Sequence, residues 1–158
     1  MAEADIHAES ADARFRVTVE AGAICLILSN TRAAKSRETG GILIGHIDSD
    51  GRAVIREATG KPRSSIFGWY TFVRKTSGLA ALLKKQWREN QYYLGEWHSH
   101  PSAPPTPSGQ DRSTMRAIAG DNGYCCPEPI LLIVGGRDDS REISITVFLR
   151  NGQAVQLR

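Results

Sequence analysis

The chain has 158 residues, 41% hydrophobic and 23% charged, which suits one compact domain with a substantial core and excludes wholesale disorder. No apolar run approaches the roughly 20 residues of a membrane span. The net charge of +3 comes with no dense Lys/Arg block and no aromatic-interleaved basic stripe, so neither a membrane nor a nucleic acid is an expected partner.

Residues 1–12 hold Glu3, Asp5, Glu9 and Asp12 and no Lys or Arg, and are expected to form a flexible acidic tail without a secretory signal. The remaining 13–158, with 20 basic against 13 acidic residues, are expected to form a single domain. Alternation in FRVTVE predicts a strand over 15–20, and Ile24, Ile27, Leu28 and Thr31 share one face of a helix over 21–32. Strands follow at 41–47 and 53–57, joined by Asp50-Gly51, a dipeptide that tolerates the positive φ of a tight hairpin. A strand is expected around Trp69–Val73 and a helix over 77–90, then a strand at 92–100. Ser108 opens a third helix, and strands at 130–134, 143–149 and 153–157 close the chain. The fold class is therefore α+β, a mixed sheet flanked by helices.

Chemistry concentrates in EWHSHPSAPPTPSGQD, residues 96–111. Side chains alternate along a strand, so His98 and His100 face the same way and can share one ion. Imidazole suits Zn²⁺, and two such ligands need only a third group to make an open site. Pro101, Pro104, Pro105 and Pro107 stiffen the loop that leads to the helix start. There Asp111 follows Ser108 by three residues, the spacing of a capping box, and its carboxylate can also point back at the ion. Glu38 and Glu96 are both candidates for a proton-transferring base, Glu96 because it lies two residues before His98 on the same strand face.

His98-x-His100, seven residues, Ser108, two residues, Asp111 is the spacing of the JAMM motif. The chain thus resembles JAB/MPN-domain zinc metalloproteases, most closely the compact prokaryotic members. This resemblance implies the cytidine-deaminase-like MPN fold, with His98, His100 and Asp111 holding one Zn²⁺. It favours Glu38, in ETGGILIGH, as the catalytic glutamate, and assigns Ser108 to hydrogen-bond the developing oxyanion. Glu96 is left as a partner behind the ligands or a structural carboxylate. The implied activity is hydrolysis of a peptide or isopeptide bond beside the C-terminus of a ubiquitin-like protein or a cGAS-like nucleotidyltransferase, with E1- and E2-like proteins as neighbours, in bacterial antiphage defence. An amide hydrolase for small peptides or cysteine adducts, and a non-catalytic MPN scaffold, are the alternatives.

Cys25, Cys125 and Cys126 are odd in number and two are adjacent, which fits no disulfide framework and points to a reducing cytoplasm. His7 and His46 read as structural or surface residues. Trp69, Tyr70 and Phe72, flanked by Lys61, Arg63, Arg74 and Lys75, are candidates for a substrate groove or for core.

Overall fold

Runs such as ILLIV at 130–134 and ISITV at 143–147 are rich in β-branched residues, the first continuously apolar as in a strand covered on both faces, the second alternating Ile and Val with Ser144 and Thr146. In the computed structural model, which describes residues 3–60, 84–85 and 87–158, they become central strands of an eight-stranded sheet. The strands are β1 Ile6–Glu9, β2 Arg16–Val19, β3 Gly40–Ile47, β4 Ala53–Ala58, β5 Tyr92–Pro101, β6 Ile130–Gly136, β7 Glu142–Phe148 and β8 Ala154–Leu157, in the order β1-β2-β4-β3-β5-β6-β7-β8. β2 runs parallel to β4 and β5 to β6, and the other neighbours are antiparallel. The sheet is therefore mixed, as expected.

Helices cover both faces. Ile24 and Ile27 of α1, Ala21–Ala34, pack with Leu43, Trp97, Leu132 and Val134 on one side. Met115 and Ile118 of α2, Gly109–Gly120, pack with Ile42, Ile44, Leu131 and Ile133 on the other. Burying one such Ile or Leu stabilises the fold by about 1.5–3 kcal/mol, so these two layers hold the sheet between them. No helix among the described residues is long and apolar enough to cross a membrane.

The N-terminal segment departs from its reading as a tail. Ile6–Glu9 pairs with β2 from Ile6↔Val19 to Glu9↔Arg16, and Glu9 also exchanges backbone hydrogen bonds of 2.9 and 3.0 Å with Arg158. The two edges of the sheet thus meet. Ile6 and Ala8 alternate inward and pack on the core, a period-two signal too short to stand out among the acidic residues. Ser10 and Asp12 then close the turn to β2, the Ser10 hydroxyl donating to Asp12 at 2.6 Å.

β5 carries a bulge. Leu43 pairs with Gly95 and Ile44 with Tyr93, so Leu94 is the extra residue. Gly95 has φ +154, and a Cβ there would lie 1.8 Å from the Ile130 carbonyl oxygen, so only glycine fits. The bulge brings Tyr93 and Glu96, three apart, onto one face, where the phenol donates to Glu96 Oε1 at 3.1 Å. Lys84, Lys85, Trp87 and Arg88 are helical as expected, while the strand expected around Trp69–Val73 lies outside the described residues, as do Lys61, Arg63, Arg74 and Lys75.

Candidate metal centre

Past the bulge, β5 alternates regularly. Trp97 is fully buried on the α1 side and its indole N–H donates to the Thr59 carbonyl at 2.8 Å. His98 and His100 therefore project toward the α2 side, next to Ile133 and Gly135 of β6. Gly40 of β3 pairs with His98, and a Cβ at Gly40 would come within 3.1 Å of the His98 Cβ and 2.6 Å of the Trp97 carbonyl oxygen. The glycine is what lets the strands close here. Ser99 locks the same end, its N–H donating to the Thr39 carbonyl at 2.9 Å and its Oγ accepting from the Thr39 N–H at 3.1 Å.

The proline-dense loop is pinned rather than merely stiff. The Gly136 N–H donates to the Ala103 carbonyl at 2.8 Å, the Ala103 N–H donates to the His100 carbonyl at 3.2 Å, and the Ser144 hydroxyl donates to the Pro105 carbonyl. Gly135 makes this docking possible, since a Cβ would lie 2.5 Å from the Pro105 nitrogen. One consequence reaches the site directly. His100 Nδ1 lies 3.1 Å from the Pro104 carbonyl oxygen, which only accepts, so Nδ1 carries the proton and Nε2 keeps its lone pair.

The loop delivers α2 with Ser108 as its N-cap. The Asp111 N–H donates to Ser108 Oγ at 3.1 Å, and the Ser108 N–H donates to Asp111 Oδ2 at 2.7 Å, the complete reciprocal box. That same Oδ2 stands 3.3 Å from His98 Nε2 and 3.6 Å from His100 Nε2, and the two Nε2 atoms are 3.1 Å apart. Burial works against the charge on Asp111, but His98 and the Ser108 N–H and hydroxyl outweigh it and lower its carboxyl to about 2. The group is an anion throughout the physiological range.

Bonds of 2.0–2.1 Å to a tetrahedral zinc place its ligand atoms about 3.3 Å from one another. Separations of 3.1, 3.3 and 3.6 Å bracket that value, and the donors are two imidazoles and a carboxylate. The residues fit a zinc ion. Among the described residues no other group of three His, Cys, Asp or Glu side chains converges in this way.

The other candidates are distributed around this point. Glu38 is exposed, two residues before β3 and thus at the same end of the sheet. Ser108 is exposed at the helix start. Glu96, 1% exposed, lies on the α2 face below His98 and is held by Tyr93, whose phenol burial pushes well above its ordinary value, with Glu96 adding to the effect. His7 Nδ1 meets Thr18 Oγ1 at 3.0 Å, and His46 pairs with Val54 far along β3, so neither joins the cluster. Sequence reasoning missed Tyr93, Ser99 and the spacing role of glycine. The doublets Gly40-Gly41 and Gly135-Gly136 were the available signal.

Comparison with known proteins accords with this geometry. Residues 20–147 match the family described as prokaryotic homologs of the JAB domain. A protein of Enterobacter hormaechei named CD-NTase/cGAS isopeptidase is 38% identical over 156 residues, 98% of this chain and 87% of that one. One of the same name from Pseudomonas aeruginosa is 32% identical over 104 residues, 64% of each chain. The solution structure of a Desulfitobacterium hafniense protein shares the fold, with TM-score 0.59 and 21% identity over 85% of this chain and 84% of that one. With its α+β sheet, its two covering helices and a family match across most of its length, the chain belongs to the prokaryotic JAB-domain family.

Proposed function

We propose that this chain is a zinc-dependent isopeptidase that cuts the bond between a modifier's C-terminus and its target in bacterial antiphage defence. The modifier is a cGAS-like nucleotidyltransferase or a ubiquitin-like protein, conjugated by E1- and E2-like proteins in the cytoplasm. The near-full-length relative named CD-NTase/cGAS isopeptidase supports the substrate class. The observation that carries the chemistry is the convergence of His98, His100 and Asp111 at zinc-like spacing.

Those three side chains would hold the ion, which when bound supplies Lewis acidity and lowers the pKa of water toward neutrality. Glu38 precedes Thr39, which is hydrogen-bonded to Ser99 at the end of the β3–β5 pair, and so stands at the His100 end of the sheet. Exposed there, Glu38 takes a proton from the attacking water and passes it to the leaving amine as the carbon–nitrogen bond breaks. Ser108 Oγ accepts from the Asp111 N–H, and its own proton turns from the Asp111 carboxylate to the carbonyl oxygen as charge develops there. Glu96, buried and bonded to Tyr93, supports β5 beneath the ligands instead of meeting water.

The test is a conjugate or fusion carrying the nucleotidyltransferase C-terminus. Mass spectrometry should find cleavage at the junction, stopped by a chelator and restored by zinc. Survival of such conjugates alongside hydrolysis of short peptides or cysteine adducts would replace deconjugation with small-amide hydrolysis.

A further inference from the structure

A second concavity opens at the same end of the sheet as the histidines. It is a recess of about 430 Å³ between the last turn of α1, the end of β5 and the β6–β7 turn. Four cations line it, Arg32, Lys35, Arg137 and Arg141. Arg141 is tied to Asp138. Arg32, Lys35 and Arg137 are exposed and have no carboxylate within ion-pair distance among the described residues, and residues 61–83 contain no Asp or Glu at all. Asp139 is the one remaining acid in the lining, and Arg32 faces the negative end of the α1 dipole. Positive charge is left in excess.

This recess lies on the α1 side of the sheet end whose α2 side carries the metal centre, and the two are joined through the chain. Pro101 and Ser102 follow His100 directly, and Lys35 and Ser36 lead to Glu38. Two of its lining residues, Lys35 at φ 56 and Ser102 at φ 58, have a positive φ, Lys35 as the C-cap of α1.

We propose that this recess binds acidic side chains of the protein substrate, so that conjugates with Asp or Glu beside the scissile bond are the preferred ones. The substrate role rests on the isopeptidase reading above, whereas the binding itself does not. Charge complementarity and continuity with the Glu38 and His100 loops carry it.

Fluorescence anisotropy with labelled tetraglutamate and tetraglutamine peptides measures the binding without any cleavage. At about 50 mM salt, where screening is modest, tetraglutamate should bind about tenfold more tightly. Lys35→Glu combined with Arg137→Glu should abolish that preference, and Arg88→Glu, at the other end of the sheet, should leave it. Both substituted residues are exposed, and matching thermal melts would show the fold retained. Equal binding of the two peptides, or a preference that survives the double substitution, overturns the proposal. With conjugates, the double variant should raise KM about tenfold at unchanged kcat when glutamates flank the junction, and act like wild type when glutamines do. Placing the glutamates on the modifier side or on the target side shows which partner supplies them. A wild-type protein that prefers tetraglutamate yet cleaves no conjugate sinks the isopeptidase reading and leaves the recess standing.

Discussion

Ser108 carries two duties that ordinary alanine substitution would confuse. Its Oγ caps α2 through the Asp111 N–H, and its proton is assigned to the carbonyl oxygen of the substrate. Losing an N-cap to alanine costs about 1 kcal/mol, but to glycine only about a few tenths. Ser108→Gly should therefore melt nearly like wild type while turnover falls by about 10²–10³, and Ser108→Ala should lose both. The two glutamates separate in the same way. Glu38→Gln should keep its zinc and its melting temperature and lose about 10²–10⁴ of kcat, because it removes proton transfer alone. Glu96→Gln should mainly destabilise, by about 1–3 kcal/mol, since it disturbs a buried bond with Tyr93, and its turnover should remain near wild type. Turnover lost in Glu96→Gln and kept in Glu38→Gln would reverse the assignment. Cysteine chemistry adds an independent check on burial. Burial pushes the Cys126 thiol up to about 12, while Cys25 and Cys125 are exposed. Native protein at neutral pH should take up maleimide at the latter two and at Cys126 only after denaturation, as read by mass spectrometry.

At the level of elements, the site depends on how closely three segments approach one another. β5 supplies the histidines, α2 the carboxylate, and the loop between them is seated on Gly135 and Gly136 of β6. Gly135→Ala would drive a methyl group into the Pro105 backbone and displace the loop that orients His100 through the Pro104 carbonyl. Overpacking of this kind costs about 1–3 kcal/mol. The expected outcome is a lower melting temperature together with easier removal of zinc by a competing chelator. A variant that melts early but holds zinc like wild type would show that the loop does not set the histidine. The strand bulge at Leu94 acts at the same scale, because without it Tyr93 and Glu96 would face opposite sides of the sheet.

Across the whole molecule, the sheet is completed by a segment whose composition suggested a tail. β1 covers the edge of β2, buries Ala8 and half-buries Ile6, and meets Arg158 through Glu9. Deleting residues 1–9 removes that cover and exposes an unpaired strand edge. The truncated chain should lose about 1 kcal/mol or more, from the half-buried Ile6 side chain alone, and should associate on warming. Calorimetry and light scattering read the two effects, and an unchanged melt without association would mean that β1 contributes nothing to stability.

Much of this arrangement was legible residue by residue, because the interactions that produce it are local. Strand alternation put His98 and His100 on one face, and a spacing of three made Ser108 and Asp111 a capping box whatever surrounded them. Asp50-Gly51 made a turn between β3 and β4 for the same reason, with Gly51 at φ +77. What local pattern could not specify was partnership between distant segments. The pairing of β1 with β2, the parallel union of β5 with β6, and the seating of the proline loop on a glycine doublet all depend on which surfaces meet. The contrast between Glu38 and Glu96 is of that kind. Two carboxylates nearly equivalent in sequence were divided by burial, one left in water at the sheet end and one enclosed with Tyr93, because packing and register, which are properties of the assembled sheet, set solvent access.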